Sequence, residues 1–174
     1  MNGRAIAQLS AALPGWIPTR GPTKSSDVTA DWLTRTLGCR AGNAVALWAG
    51  ESNGTTGTTD RRQLVVEWDD IGKAAGLPSN LFVKSSPLTA KNRVMVAALD
   101  MAVNEAKFYR QASDELQGMV PKSWYAYASN GARFCIVLDD IVAQGAKPYA
   151  LADRCTVEHA RGLIDAFAQL HSQF

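Results

Sequence analysis

The stretch Leu81-Phe82-Val83-Lys84 decides the fold that we predict for this chain. Its apolar, β-branched and aromatic residues are typical of a buried strand, and that strand ends in a lysine. Glu105 follows within a segment of helical periodicity, where it interrupts an apolar stripe. That stripe comprises Ala98, Met101, Phe108 and Ala112. Because a carboxylate on a buried face is costly unless it is paired, we predict an ion pair between Glu105 and Lys84. The alternative is a pair of solvated side chains.

The composition is that of one soluble globular domain. The chain has 174 residues, a formal net charge of +2, 47% hydrophobic residues and 20% charged residues. No basic run is dense enough to track a phosphate backbone, so we expect no nucleic-acid partner. No apolar run approaches the ~20 residues that span a bilayer, so we expect no membrane partner. Cys39, Cys135 and Cys155 show no CxxC spacing, and their scatter fits reduced thiols in a cytoplasmic protein.

The periodicities predict an α+β fold with a five-stranded antiparallel sheet. Residues 1–26 are predicted to form an N-terminal arm. Thr29 is predicted to cap a short helix that runs to about Leu37, with Gly38 as the residue that terminates it. One long helix is predicted between the third and fourth strands, at about 92–116, and a last helix begins near Thr156. The strands are predicted near 44–49, 63–68, 81–84, 124–128 and 133–138, and the dipeptide Asn130-Gly131 marks a hairpin between the last two.

A polar stretch between the first two strands is a candidate anion site. Its core is Gly54-Thr55-Thr56-Gly57. Glycines allow backbone N–H groups to approach phosphate oxygens, and threonine hydroxyls add further donors. The stretch matches neither a Walker A sequence nor GxGxxG. The alternative is an ordinary hairpin turn at Asn53-Gly54, which needs no ligand.

The predicted fifth strand runs abruptly into two acids. Leu138 ends its apolar run, and Asp139, Asp140 and Ile141 follow. Such a strand can lead into a backbone segment that reads the edge of a base. The alternative is a buried strand that simply ends in a turn.

Taken in order, these segments resemble the small lobe of the aminoglycoside phosphotransferase and choline kinase superfamily, which has a protein kinase-like fold. The resemblance is greatest to the ecdysteroid kinase-like branch. Asp139 stands where a glutamate is usual. The matching segments are Thr29-Ala30-Asp31-Trp32-Leu33, Gly54-Thr55-Thr56-Gly57, Leu81-Phe82-Val83-Lys84, Asn104-Glu105-Ala106-Lys107-Phe108-Tyr109-Arg110, residues 134–141 and Ala168-Gln169-Leu170-His171.

The resemblance implies an ATP-dependent phosphotransferase that acts with Mg²⁺ on a hydroxyl of a small molecule. Residues 27–141 would form the nucleotide-binding lobe, and residues 142–174 the segment after the hinge and the first helix of the large lobe. Lys84, oriented by Glu105, would contact the α- and β-phosphates. The remaining implied nucleotide contacts are Gly54, Thr55, Thr56 and Gly57 over the phosphates, Leu138 behind the adenine, and the Asp139 carbonyl and Ile141 amide at its edge.

The catalytic part of that family pattern has no counterpart in this sequence. The family places its catalytic aspartate and its Mg²⁺ ligands after the helix that closes with Leu-His, and neither Asp153 nor Asp165 is followed by an asparagine. We therefore expect a chain cut before its catalytic loop, without catalytic or metal-binding residues. The stripe of the last helix, which includes His171 as a packing residue, would then be uncovered and open to self-association. The alternatives are a non-catalytic nucleotide-binding or interaction module and an inert gene fragment.

Overall fold

The computed structural model describes residues 21–116, 118–129, 131–149 and 153–172. Within these ranges the chain is α+β, with five strands in one antiparallel sheet, as predicted. Most of the predicted N-terminal arm, and Asn130 of the predicted hairpin, lie outside the described residues. The part of the arm that is described docks on the sheet, because the Ser25 hydroxyl donates to Asp60 Oδ2 at 2.7 Å.

The sheet places the second strand and the fifth strand on either side of the third. The strands are β1 (Ala46–Thr56), β2 (Asp60–Trp68), β3 (Asn80–Ser85), β4 (Ser123–Ala128) and β5 (Phe134–Asp139). Their order across the sheet is β1-β2-β3-β5-β4. In this order Lys84 of β3 pairs with Arg61 of β2 on one side and with Ile136 of β5 on the other.

The first strand is longer than predicted, and the expected polar loop after it is wrong. β1 continues through Gly54, Thr55 and Thr56, which pair with Arg62, Arg61 and Asp60. The turn to β2 is therefore confined to residues 57–59. Threonine is a good strand former, and pairing with β2 satisfies the backbone groups that a turn would have left to water. The alternative of a turn at Asn53-Gly54 is wrong for the same reason.

The first and the last of the five described helices begin where the sequence predicts. The five are α1 (Ala30–Thr36), α2 (Asp70–Ala74), α3 (Ala90–Ala98), α4 (Met101–Gln111) and α5 (Val157–His171). The Thr29 side chain caps α1 by accepting from the Trp32 amide at 3.2 Å, and Thr156 caps α5 by accepting from the His159 amide at 3.3 Å. The short helix α2 was not predicted.

The single long helix predicted at 92–116 is wrong, because two helices, α3 and α4, occupy that segment. Asp100 separates them with φ = +50°, in the left-handed region, where a right-handed helix cannot continue. The predicted apolar stripe is wrong as well. Met101 is 42% exposed and Phe108 is 36% exposed, whereas Ala102 and Ala106 form the buried face of α4. These small side chains let the helix pack closely on the sheet.

Two cores cover the two faces of the sheet. One core lies between the sheet and α1, and Leu33, Trp68 and Val83 are among its buried members. The other lies between the sheet and the helices α3 and α4, and includes Ala106 and Phe134. Since successive strand residues point to opposite faces, Phe82 and Lys84 face the second core while Val83 faces the first.

The last helix, α5, has no buried residue. Ile164 is 65% exposed and Phe167 is 58% exposed, so the apolar stripe of this helix is uncovered, as expected, and His171 is exposed with it. Among the described residues, no helix is both long and apolar enough to cross a lipid bilayer.

Candidate functional site

Lys84 and Glu105 form the ion pair that the sequence predicts. Lys84 Nζ donates to both carboxylate oxygens of Glu105, at 2.8 Å to Oε1 and 2.7 Å to Oε2. The two side chains are 25% and 29% exposed. β3 carries the lysine and α4 carries the glutamate, so the pair also joins the sheet to the helix. A half-buried lysine held at two points has a fixed position and keeps one face toward solvent.

The next turn of α4 carries a phenol whose acidity this site changes. Tyr109 lies one helical turn after Glu105. Burial, and then the negative charge of Glu105, raise the pKa of the Tyr109 phenol above its ordinary value. The phenol therefore stays protonated across the physiological range.

The pair borders a cleft of about 180 Å³. One end of the cleft is polar, with two threonine hydroxyls and a second cation beside Lys84, and the other end is apolar. The lining residues are Thr58, Thr59, Arg61, Lys84, Val96, Met101, Ala102, Glu105 and Phe134. A space of this size and polarity suits an anion with several oxygens.

The turn that forms the polar end is tied to the neighbouring helix. Asn92 of α3 donates from Nδ2 to the Gly57 carbonyl at 2.6 Å. Within the turn, the Gly57 amide donates to the Thr59 carbonyl at 3.1 Å. These bonds fix the two threonines of the cleft relative to α3, but they also occupy the Gly57 amide.

The structure spreads the four predicted loop residues over both faces of the sheet. Gly54 pairs with Arg62, and a Cβ on Gly54 would overlap the Arg62 side chain, on the face away from Lys84. Thr56 pairs with Asp60 and lies on that same far face. Thr55 pairs with Arg61 and so shares the face of Lys84, and Gly57 lies in the turn.

The residues predicted at the end of β5 have separate environments. Leu138 is 5% exposed and belongs to the second core, opposite Phe82. The Asp139 carboxylate accepts from Trp124 Nε1 at 2.6 Å, and its backbone amide donates to the Lys122 carbonyl at 2.9 Å. Ile141 is 41% exposed.

Sequence reasoning missed the side chains that hold the segment after β5. Gln63 of β2 donates from Nε2 to Asp140 Oδ2 at 2.8 Å. Asp140 is 4% exposed, and its Oδ1 accepts from the Val142 amide at 3.0 Å and the Ala143 amide at 3.3 Å. The signal in the sequence was the acidic doublet directly after a strand, since aspartate often bonds amides two and three residues ahead.

An apolar surface adjoins the cleft on the same face of the sheet. Val65 follows Arg61 and Gln63 in the alternation of β2, and it is 38% exposed. Gly50 pairs with Val65, and the indole ring of Trp48, 52% exposed, lies over Gly50. The surface could receive a flat ring against an indole and an aliphatic side chain.

The donor set of the cleft does not fit a magnesium ion. Among its described lining residues Glu105 is the one carboxylate, and both of its oxygens are bonded to Lys84. Nor do any three His, Cys, Asp or Glu side chains of the described ranges form a group able to hold a metal ion. We therefore derive no chemical step through Mg²⁺.

Comparisons with known proteins give no family for this chain. No protein-family model matches it, and neither a curated protein nor a solved structure does. The kinase-like resemblance therefore stays a prediction from its motifs. The geometry of Lys84, Glu105 and their neighbours has to carry the functional argument.

Proposed function

We propose that this chain is the ATP-binding portion of a phosphotransferase that acts on a hydroxyl group of a small molecule. The observation that carries the proposal is the two-point bond between Lys84 and Glu105 at the edge of a polar cleft. An ammonium group has three N–H donors, and two of them are directed to Glu105. The third is then available to a phosphate oxygen in the cleft.

The position of the lysine supports phosphate binding more than a structural role alone. A partly buried ion pair is weak evidence of a stabilising role, because the cost of desolvating two charges offsets much of their attraction. A pair that fixes an ammonium beside threonine hydroxyls offers preorganised donors to an anion, and preorganisation removes part of the entropy cost of binding. The same arrangement of a strand lysine and a helix glutamate recurs in kinase sites.

The adjoining apolar surface supports a base next to the phosphates. Trp48 and Val65 are exposed on the face that carries Lys84, so a planar ring bound there would lie on the same face of the sheet as the cleft. Gln63 and Asp140 hold the segment after β5 against β2. A fixed backbone at that segment fits the predicted contacts of the Asp139 carbonyl and the Ile141 amide with the adenine edge.

Within this proposal the chain binds and orients the nucleotide, and we assign no catalytic residue to it. The described cleft holds no free carboxylate that could position an acceptor hydroxyl. Transfer of the γ-phosphoryl group would draw its metal and its acceptor-positioning aspartate from elsewhere in the enzyme. The small-molecule acceptor would bind outside the described cleft.

Calorimetric titration and thermal unfolding with MgATP test the proposal. We expect the wild-type chain to bind MgATP with a rise in Tm, since a ligand at 100 times its Kd adds about 2.7 kcal/mol of stability. Lys84→Met should weaken binding at least ten-fold. Lys73→Met is the matched control, because Lys73 is 60% exposed on α2 and its loss removes the same charge.

Lys84→Met leaves Glu105 without its partner, so the double variant Lys84→Met/Glu105→Gln separates lost binding from lost folding. Both variants should fold, and both should bind at least ten-fold more weakly than the wild type. Absence of a MgATP-dependent shift in the wild type, or full binding by Lys84→Met, would overturn the proposal. Binding without ADP formation is the outcome we expect of this chain by itself, because we assign no catalytic residue to it.

A further inference from the structure

We infer that Arg61 is a second phosphate-binding cation and that, together with Lys84, it makes the cleft selective for polyphosphate chains over monophosphates. The inference deepens the proposed function, on which the identity of the ligand as a nucleotide rests. Its own test uses an inorganic ligand. None of the candidate site motifs described for the sequence includes Arg61.

The strand register places the two cations side by side. Arg61 and Lys84 are Cα partners in the antiparallel β2–β3 ladder. Directly opposite residues point to the same face of a sheet, with Cβ atoms about 5 Å apart. Both side chains line the same cleft. Two positive charges are thus held next to each other at its polar end.

The local charges leave Arg61 without compensation. Lys84 is neutralised by Glu105, but no carboxylate of the described ranges forms an ion pair with Arg61. Arg61 therefore gives this end of the cleft a net positive charge, which attracts an anion.

The next residue shows the opposite arrangement. Arg62 Nη1 donates to Glu51 Oε1 at 2.8 Å, and its Nη2 lies 3.0 Å from Asp60 Oδ1, in contact though not aligned as a hydrogen bond. Two consecutive arginines therefore differ in role. Arg62 neutralises carboxylates on the far face of the sheet, and Arg61, which has no acidic partner among the described residues, lines the cleft.

The turn between β1 and β2 gives the guanidinium its place. A Cβ on Gly57 would come within 3.2 Å of Arg61 Nη2, so the Arg61 side chain runs back along the turn. That turn carries Thr58 and Thr59 and is anchored by Asn92. Arg61, two threonines and Lys84 then line one space, and their side chains carry donors enough for more than one phosphate group.

Titration calorimetry with inorganic tripolyphosphate at low salt tests the inference. We expect Arg61→Gln to weaken binding about ten-fold, the loss of one charge-assisted contact. Arg61→Lys should lose less affinity, because lysine keeps the positive charge and lacks only the planar, two-pronged donor geometry of the guanidinium. Binding of inorganic monophosphate should be weak and should change little in either variant.

Arg40→Gln is the matched control. Arg40 precedes β1, at the opposite end of that strand from the turn at 57–59, and the variant removes the same charge. Since Arg61 is exposed, we expect its variants to keep the wild-type Tm without ligand. Equal tripolyphosphate affinity in wild type and Arg61→Gln, or no binding by the wild type, would overturn the inference.

The same titrations separate this inference from the proposed function. If tripolyphosphate binding requires Arg61 but ATP binds no more tightly than tripolyphosphate, then the proposed base site is wrong and the phosphate-binding role of Arg61 is supported. If MgATP binding requires Lys84 but not Arg61, then the proposed nucleotide site is supported and the phosphate-binding role of Arg61 is wrong.

Discussion

At the residue scale, the environment of Cys135 sets its reactivity. Its side chain is fully buried in the core between the sheet and α1. Burial, with a smaller effect from the charge of Asp27, raises the pKa of the thiol to about 12. The thiolate is the reactive form. A thiol reagent at pH 8 should therefore label the exposed Cys39 and Cys155 quickly and Cys135 only after unfolding in urea. Labelling of a third thiol in the native protein would contradict the buried position.

The same pKa predicts a loss of stability at high pH. The folded-state value lies above the ordinary value of 9.0, so the contribution of Cys135 to stability is complete below pH 9. It is lost as the pH rises toward 12. Urea unfolding at pH 8 and pH 10.5 should show a smaller fall in the free energy of unfolding for Cys135→Ala than for the wild type. Equal falls in both proteins would mean that the thiol titrates normally.

Gly38 is required for a close backbone contact. A Cβ at this position would overlap the Ala44 carbonyl oxygen, and the Ala44 amide donates to the Gly38 carbonyl at 3.0 Å. Because backbone atoms cannot move aside, Gly38→Ala should lower the free energy of unfolding by about 2 kcal/mol, measured by urea titration. Gly162→Ala is the control, since nothing lies within 4 Å of its Cβ position in α5. A neutral Gly38→Ala would show that this contact relaxes.

At the scale of elements, the features that depend on neighbouring residues in the sequence could be predicted. The hydroxyls of Thr29 and Thr156 cap helices within three residues, so the helix starts could be read directly. The break at Asp100 could not, because an apolar periodicity crosses it in the sequence, and aspartate adopts the left-handed conformation only occasionally. The extension of β1 to Thr56 likewise depends on its partner strand, because a polar glycine and threonine stretch is stable as a strand only when it is paired.

The two threonine caps should differ in their effect on the whole protein. α1 buries Leu33 completely in a core, whereas α5 buries no residue. Thr29→Ala should therefore lower the global free energy of unfolding by about 1 kcal/mol. Thr156→Ala should reduce the helical far-UV signal without moving the urea midpoint. If the two variants shifted that midpoint equally, α5 would have to be part of the cooperative core.

At the scale of the molecule, the candidate site joins residues that are distant in sequence. The Lys84–Glu105 pair could be predicted from residue types, since a carboxylate beside a helix face needs a partner. Arg61, Gln63 and Asn92 could not, because their positions follow from strand register and from the anchoring of a turn on α3. The register of β2 and β3 places Arg61 opposite Lys84. The same strand, β2, places Gln63 within hydrogen-bond distance of Asp140. One sequence carries no direct signal for such pairings.

The burial of the sheet between two cores predicts which part of the molecule should unfold locally first. β3 and β5 lie between both cores, and Phe134, Ile136 and Val83 are fully buried, whereas Ile164 and Phe167 of α5 are mostly exposed. Amide hydrogens of β3 and β5 should therefore exchange only by global unfolding, and those of α5 by local opening. Hydrogen exchange followed by mass spectrometry measures both rates. Phe134→Leu should accelerate exchange in β3 and β5 and leave α5 unchanged, while Leu163→Ala, at a residue 58% exposed, should change neither strand. Protection of α5 equal to that of β5 would contradict this two-core description.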